Sequence, residues 1–112
     1  MLNKEKISKI IEEYSLFIMV NHGYDLNIDI KNIDKKIYLT FESSRLDDQV
    51  LDFIVNAIEC KRDEEIEEYG WELMGEGASD DDLDIVGSLI DEFEYEQLEN
   101  KTIVRMIRYE QN

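Results

Sequence analysis

Two stretches of this chain alternate apolar and polar residues, and each stretch contains two alternating runs joined by a short turn. The first spans residues 26–42 with a turn at residues 32–36, and the second spans residues 93–109 with a turn at residues 99–101. A period of two residues is typical of a strand with one buried face, and a short connection favours antiparallel pairing. The sequence therefore predicts two β-hairpins, the first of which begins with a half-buried strand.

The rest of the chain has the three-and-four spacing of apolar residues that is typical of amphipathic helices. One helix is predicted over residues 3–22, with His22 and Gly23 as stop signals. Ser44 or Asp47 caps a second helix that ends near Ile58, and a third covers residues 63–74. A fourth follows the Ser79–Asp82 capping box and runs to about Glu92, with four residues predicted to be buried: Ile85, Val86, Leu89 and Ile90.

The element order is therefore α-β-β-α-α-α-β-β. Each hairpin has a face to bury, so an α+β two-layer sandwich follows, with helices on one face of a four-stranded, mainly antiparallel sheet. The chain has 112 residues, no proline and no repeat, which predicts one domain over residues 1–112. The last strand is unusual because both of its faces carry apolar residues.

Net charge constrains the partners. Twenty-eight acidic and twelve basic residues give −16, which disfavours nucleic acid and anionic membranes, since both are bound by Lys and Arg. An acidic surface either keeps a small domain in solution or meets a basic protein. The single cysteine, Cys60, the absence of an apolar N-terminal leader and the lack of a 20-residue apolar run lead us to expect a cytoplasmic protein without a membrane span.

Two passages resemble the GHKL ATPase fold of sensor histidine kinases and anti-sigma-factor kinases. Residues 20–24 (VNHGY), which lead into a strand, are similar to the end of that family's N-box helix. Residues 89–95 (LIDEFEY) and 101–106 (KTIVRM) are similar to its closing helix-to-hairpin passage. The element order is also that of the family. The resemblance implies a GHKL-like fold, and in the family that fold binds ATP and magnesium.

The residues that serve ATP in that family are absent at the matching positions. The N-box Glu and Asn fall on Tyr14 and Ile18, which cannot hold magnesium or accept a proton. The Asp-x-Gly-x-Gly box falls on residues 42–47 (ESSRLD), which contain no glycine. The glycine motif that approaches phosphate falls on residues 80–85, where Asp81, Asp82 and Asp84 would repel it. We therefore expect no nucleotide cofactor and no enzymatic activity.

Other local patterns have ordinary interpretations. Asp80, Asp82 and Asp84 have the 1-3-5 spacing of a calcium loop, but Ile85 replaces the glycine of the turn, so a capped helix start is favoured and no metal is predicted. His22 is the only histidine and has no nucleophile placed beside it, so it is interpreted as a helix-terminal residue.

The candidate site is a protein-interaction surface. The face of the sheet that the helices leave open is predicted to group apolar side chains, and self-association across it is the simplest explanation. Tyr69 and Trp71 are interpreted as core residues, with a filled nucleotide pocket or a partner anchor as the alternative. The predicted interaction residues are Tyr38, Ile103, Arg105, Ile107, Tyr109, Tyr69 and Trp71.

Three functions remain open from the sequence. The first is a non-catalytic GHKL-like regulatory domain that binds another protein, with a homodimer as one form. The second is an acidic mimic of nucleic acid that occupies a basic protein groove. The third is a nucleotide-dependent kinase of the anti-sigma type, which would need Glu12 or Glu13 together with Asn21 in a shifted register.

Overall fold

The computed structural model describes residues 3–59 and 82–110, and their order confirms the α+β class. The predicted helix over residues 63–74 lies outside the described residues, as do Cys60, Ser79 and the ends of the chain. The described elements are α1 (Asn3–Asn21), β1 (Asn27–Ile33), β2 (Lys36–Ser44), α2 (Asp48–Ile58), α3 (Asp82–Ser88), β3 (Glu92–Gln97) and β4 (Lys101–Tyr109).

The two hairpins join through their inner strands into one antiparallel sheet with the order β1-β2-β4-β3. The central pair, β2 and β4, runs in register from Lys36 opposite Tyr109 to Ser44 opposite Lys101. The edges are β1 and β3. Because β2 and β4 each have a neighbouring strand on both sides, their backbone N–H and C=O groups can pair on both edges.

The three described helices pack on one face of this sheet, as the sequence predicts. On that face Leu39 and Phe41 of β2 lie opposite Met106 and Val104 of β4, and all four are buried. The short α3 packs against both α1 and α2. The helices contribute a further set of buried apolar residues to this core: Ile10, Tyr14, Phe17, Ile18, Leu51, Ile54, Ala57, Ile58, Leu83 and Val86.

The first strand corrects the sequence analysis. A half-buried β1 was expected, yet every one of its residues is exposed. Ile28 and Ile30 do point to the helix side, opposite Phe41 and Leu39, but 40% and 56% of their surfaces remain accessible. The described helices cover the two central strands and reach the edge strand only in part. An alternating pattern shows which side chains share a face, and it does not show whether that face is covered.

The start of α2 agrees with one of the two predicted caps, whereas the end of α3 differs from the sequence analysis. Asp47 is the N-cap residue of α2, without a side-chain capping bond, while Ser44 ends β2. The helix expected to reach about Glu92 stops at Ser88. There the backbone N–H of Leu89 donates to the Val86 carbonyl at 2.9 Å, and the N–H of Asp91 donates to Ile107 of β4 at 2.8 Å. These bonds turn the chain into β3. Leu89 and Ile90 are still buried, whereas Ile85 is only half-buried.

In the described parts of the chain, no helix combines the length and the apolar character that crossing a bilayer requires.

Candidate functional site

The positions that match the N-box of the GHKL family lie inside the core. Tyr14 and Ile18 of α1 are buried, and the Tyr14 ring centroid is 4.4 Å from that of Phe41. Burial raises the pKa of the Tyr14 phenol far above its usual value, so this group stays protonated. Neither side chain presents a ligand to a magnesium ion or a base to a water molecule.

The polar residues that a kinase would need in a shifted register, Glu12 or Glu13 and Asn21, make their contacts within α1. Glu12 and the buried Glu13 lie 3.6 Å and 3.3 Å from the Lys9 ammonium. The Asn21 side-chain amide donates to the Phe17 carbonyl at 2.9 Å. An i, i+4 bond of this kind ties Asn21 to its own helix and holds it at the solvent-exposed end.

Hydrogen bonds from three elements hold the connection between β2 and α2, where the family has its Asp-x-Gly-x-Gly box. Leu46 is buried, and its N–H donates to the Thr102 hydroxyl at 2.9 Å. Its carbonyl accepts from the Gln97 amide at 2.9 Å. Arg45 donates to the Leu98 carbonyl at 2.7 Å. Side chains from the second hairpin thus occupy the hydrogen-bonding groups of this connection.

The end of α1 is tied to the same connection. His22 Nε2 and Ser44 Oγ lie 2.8 Å apart, and the Ser44 N–H donates to the Asp25 carboxylate at 3.0 Å. The hydrogen bonds from the Ser44 side chain and backbone lower the pKa of Asp25, since they stabilise its charged form. His22 follows the last residue of α1, as expected, but the expectation that no Ser or Cys lies beside it is wrong, because the Ser44 hydroxyl is its partner.

The acidic run before α3 falls largely outside the described residues, which include neither Asp80 nor Asp81. Asp84 is exposed on α3. Within residues 3–59 and 82–110, no three His, Cys, Asp or Glu side chains come together in an arrangement that could hold a metal ion.

The structure brings five of the seven predicted interaction residues together on the face of the sheet opposite the helices, which we call the open face. Tyr38 lies directly opposite Ile107, and Arg105 lies between Ile103 and Ile107 along β4. Tyr109 ends the row beside Lys36. Tyr69 and Trp71 are outside the described residues. Of the described elements, α1, α2 and α3 all pack on the other face.

The five residues differ in how much of their side-chain surface is accessible to a partner. Tyr38, Ile103 and Arg105 are half-buried, and Tyr109 is exposed. Ile107, at 4% exposure, has little surface to offer a partner because it is enclosed in its row between Tyr38 and Glu92. A shallow recess of about 150 Å³ lies next to Ile103 and Arg105. The apolar contact area of the open face therefore comes mainly from Tyr38, Ile103 and Tyr109, together with Ile33 at the end of β1, which lies on the same face and is 52% exposed.

Ion pairs surround these apolar groups. Arg105 donates to Glu94 on the neighbouring strand at 3.1 Å, and Lys101 lies 2.8 Å from Glu42. The open-face positions of the four strands hold four basic and five acidic side chains, a net charge of −1 on a chain of −16. They are Lys31, Lys36, Lys101, Arg105, Asp29, Glu42, Glu92, Glu94 and Glu96. The open face is nearly neutral on a strongly acidic molecule.

One corner of the open face is a three-residue cluster. The Tyr109 hydroxyl donates to Glu92 at 2.5 Å, and the Lys36 ammonium lies 5.0 Å from the centre of the Tyr109 ring and 3.9 Å from Glu92. The hydrogen bond to Glu92 is the main reason that the pKa of Tyr109 is raised, because a carboxylate acceptor favours the protonated phenol.

No family model, curated protein or solved structure matches this chain. The likeness to the GHKL family thus rests on the sequence passages and the element order.

Sequence reasoning missed the exposed outer edge of β1. The alternation of Ile28, Asp29, Ile30 and Lys31 predicted a strand and did not predict its place in the sheet. Whether a strand lies at the edge or in the centre depends on which hairpin strands meet, and local periodicity does not carry that information.

Proposed function

We propose that this chain is a non-catalytic, GHKL-like domain that binds a basic protein through the open face of its sheet. The observation that supports this most is the composition of that face. The apolar side chains of this face, Tyr38, Ile103, Tyr109 and Ile33, lie among charged groups whose charges nearly cancel, on a molecule that is elsewhere acidic. Grouped apolar side chains ringed by polar groups are typical of protein contact surfaces.

The charge distribution favours a basic partner. The acidic remainder of the molecule attracts a basic protein at long range, and the neutral face lets apolar groups meet without a large local desolvation cost. Glu92, Glu94 and Glu96 stand in a row along β3, as a nucleic-acid mimic would need. Glu94 is paired with Arg105 and Glu92 with Tyr109 and Lys36, so this row presents fewer free charges than its sequence implies. We therefore favour binding through the apolar side chains of the open face over mimicry of nucleic acid.

The absence of catalysis in this proposal is supported by the burial of Tyr14 and Ile18 and by the hydrogen bonds that hold residues 44–46. It is tested by thermal unfolding with Mg-ATP and Mg-ADP. A ligand at 100 times its Kd stabilises the folded state by about 2.7 kcal/mol, which raises Tm by several degrees in a domain of this size. We expect no saturable shift. A saturable shift would restore the kinase hypothesis.

Binding through the open face is tested by capture with chemical cross-linking in extracts of the source cells, comparing the chain with two variants. Ile103→Ser removes apolar surface from the open face. Val20→Ser, the matched control, removes it from α1, where Val20 is 74% exposed. We expect a protein captured by the parent and the control to be lost with Ile103→Ser. If the amount of protein captured is unchanged by Ile103→Ser and falls steeply with salt concentration, the mimic hypothesis is favoured instead.

A further inference from the structure

The outer edge of β1 offers backbone hydrogen-bonding groups to another strand. The turn after β1 has two residues, Asp34 and Lys35, with φ of 51° and 64°, as in a type I′ hairpin. In such a hairpin the residues that flank the turn, Ile33 and Lys36, form a hydrogen-bonded pair, and bonded pairs then alternate along the strand. The backbone groups of Ile28, Ile30 and Asn32 therefore point away from β2.

We propose that two copies of this chain pair antiparallel along their β1 edges, with a two-fold axis at Ile30, to form one continuous eight-stranded sheet. Ile30 then lies opposite Ile30 of the second copy, and Ile28 lies opposite Asn32 of the second copy. These are the outward-pointing residues, so each of these pairs can exchange two backbone hydrogen bonds. This contact lies at the edge of the sheet and is independent of binding through the open face.

The charges of β1 are complementary to themselves in this register. The strand reads NIDIKNI, with Asp29 and Lys31 at equal distances on either side of Ile30. Pairing about Ile30 places Asp29 opposite Lys31 of the second copy, twice by symmetry. These are pairs without backbone bonds, in which side chains approach most closely. Within one copy the two groups are 3.9 Å apart and largely exposed.

Other registers of the β1–β1 pair have less favourable charge pairing or a shorter overlap. A two-fold axis at Asp29 or at Lys31 sets like charges face to face, which is destabilising in a strand pair. An axis at Ile28 or Asn32 leaves both Asp29 and Lys31 without an opposite charge on the facing β1 strand and shortens the overlap. Ile30 is the middle residue of the strand, so the register with complementary charges is also the one with the longest overlap.

Apolar groups on the helix side support the same contact. Ile28 and Ile30 are exposed there, and Ile30 lines a groove of about 590 Å³ between α1 and β1, together with Ile7 and Ile11. Pairing sets Ile30 opposite Ile30 of the second copy, with Ile28 on the diagonal, and covers surface that the described helices of one copy leave open. Burial of apolar surface is the main favourable term in such association.

The opposite edge of the sheet lacks these features. Its strand, β3, carries Glu92, Glu94 and Glu96 on one face. Antiparallel pairing of β3 with itself about Glu94 would set all three glutamates against glutamates of the second copy. Charges of one sign are a common means of keeping an edge strand unpaired. The two edges of the sheet thus differ in the way that a single, specific dimer requires.

A charge exchange tests the proposal by sedimentation velocity. We expect the parent chain to form a species of twice the 13.3 kDa chain mass. Asp29→Lys and Lys31→Asp should each be monomeric, because each sets like charges opposite one another. An equal mixture of the two variants should recover the dimer, since each charge then meets its opposite. Asp52 on α2 is exposed and lies away from the β1 edge, so Asp52→Lys serves as a control that should leave the dimer intact.

A second variant tests the backbone contact. Ile30→Pro removes one outward N–H and leaves the bonds to β2 in place, so it should yield a folded monomer, with folding checked by circular dichroism. A parent that is monomeric at every accessible concentration would overturn the edge dimer, as would a dimer that survives all of these changes. Loss of the dimer without recovery in the mixture would overturn the register. None of these results affects capture of a partner through Ile103, which tests the proposed function separately.

Discussion

Arg108 of β4 donates a hydrogen bond from Nη1 to the carbonyl of Leu89 at 2.6 Å, and this bond joins the last strand to the end of α3. Its Nε donates to the Asn3 side chain at 2.5 Å, at the start of α1. The side chain lies on the helix side and is 3% exposed. One guanidinium thus connects the sheet to two helices within the core.

Replacement of Arg108 by Lys is expected to destabilise the fold. The donors of a Lys ammonium are all on one nitrogen and cannot reach both acceptors as the separate guanidinium nitrogens do. Either the Leu89 carbonyl or the Asn3 side chain therefore loses its partner. A hydrogen bond to a charged group contributes about 1.5–3 kcal/mol. We expect a loss of that size in the free energy of unfolding, measured by urea denaturation. Arg45→Lys, whose side chain is exposed, is the control and should have a much smaller effect. Equal losses would contradict the role of Arg108 in the core.

Gly87 of α3 lies against the backbone of α2. A Cβ added at this position would be 2.9 Å from the Ile58 carbonyl oxygen and 3.1 Å from the Ile58 Cα. Alanine is favoured over glycine in a helix by about 1 kcal/mol, but the atoms that the added methyl group would meet are backbone and cannot turn aside. We therefore expect Gly87→Ala to lower the free energy of unfolding by about 1–3 kcal/mol. Asp84→Ala, at an exposed position of the same helix, should change it by less than about 0.5 kcal/mol.

The pKa of Tyr109 should depend on Glu92. The folded state raises this pKa, so the contribution of Tyr109 to stability is complete below pH 10.0, its ordinary value, and is lost as the pH rises through the folded pKa. Glu92→Gln should lower the Tyr109 pKa, which can be followed by NMR of the ring carbon with Tyr109→Phe for assignment. The same change at Glu96, which makes no contact with the Tyr109 hydroxyl in the described structure, should leave it in place.

The contribution of Asp25 to folding stability should depend on pH in the opposite direction to that of Tyr109. Hydrogen bonds from Ser44 lower its pKa, so its contribution is present above pH 3.8, the ordinary value, and is lost as the pH falls through the folded pKa. Ser44→Ala removes the side-chain hydrogen bond, and the Asp25 pKa should rise towards its ordinary value in a carboxylate NMR titration. An unchanged Asp25 pKa in this variant would mean that the Ser44 backbone alone holds the carboxylate.

Lys35 occupies the left-handed region at the second position of the β1–β2 turn, with φ of 64°. Glycine reaches this region without the steric cost of a Cβ, and type I′ turns favour it there. We expect Lys35→Gly to raise the free energy of unfolding by up to about 1 kcal/mol. Lys31→Gly, in the strand, should lower it. A decrease for Lys35→Gly would show that flexibility in the unfolded chain outweighs relief of the turn.

The sequence was sufficient for the features that local periodicity controls. The alternation around Ile37 and around Val104 predicted both hairpins, and the two apolar faces of β4 predicted an open face with Ile103 and Ile107. These predictions are confirmed because side chains alternate across a strand whatever its neighbours are.

Features set by distant contacts were beyond the sequence. The exposure of Ile28 and Ile30 follows from the edge position of β1, which pairing between β2 and β4 decides. After the early end of α3, Asp91 donates to the Ile107 carbonyl and accepts from the Tyr109 N–H of β4, and the apolar period that continues through Leu89 and Ile90 concealed this change of direction. The buried Arg108 was missed because its partners, Asn3 and Leu89, are 105 and 19 residues away along the chain.

The pairing of β2 with β4 also has a consequence for synthesis of the protein on the ribosome. Each hairpin can close on its own, but Lys36 meets Tyr109 only after Tyr109 has left the exit tunnel. Until then β2 lacks the neighbour on its second side, and Leu39 and Phe41 lack the strand that completes their layer of the core. Contacts between strands as far apart in sequence as β2 and β4 slow folding, and until they form β2 has an unpaired edge beside its apolar side chains. The nascent chain is therefore most exposed to aggregation and to chaperones in the interval before β4 emerges.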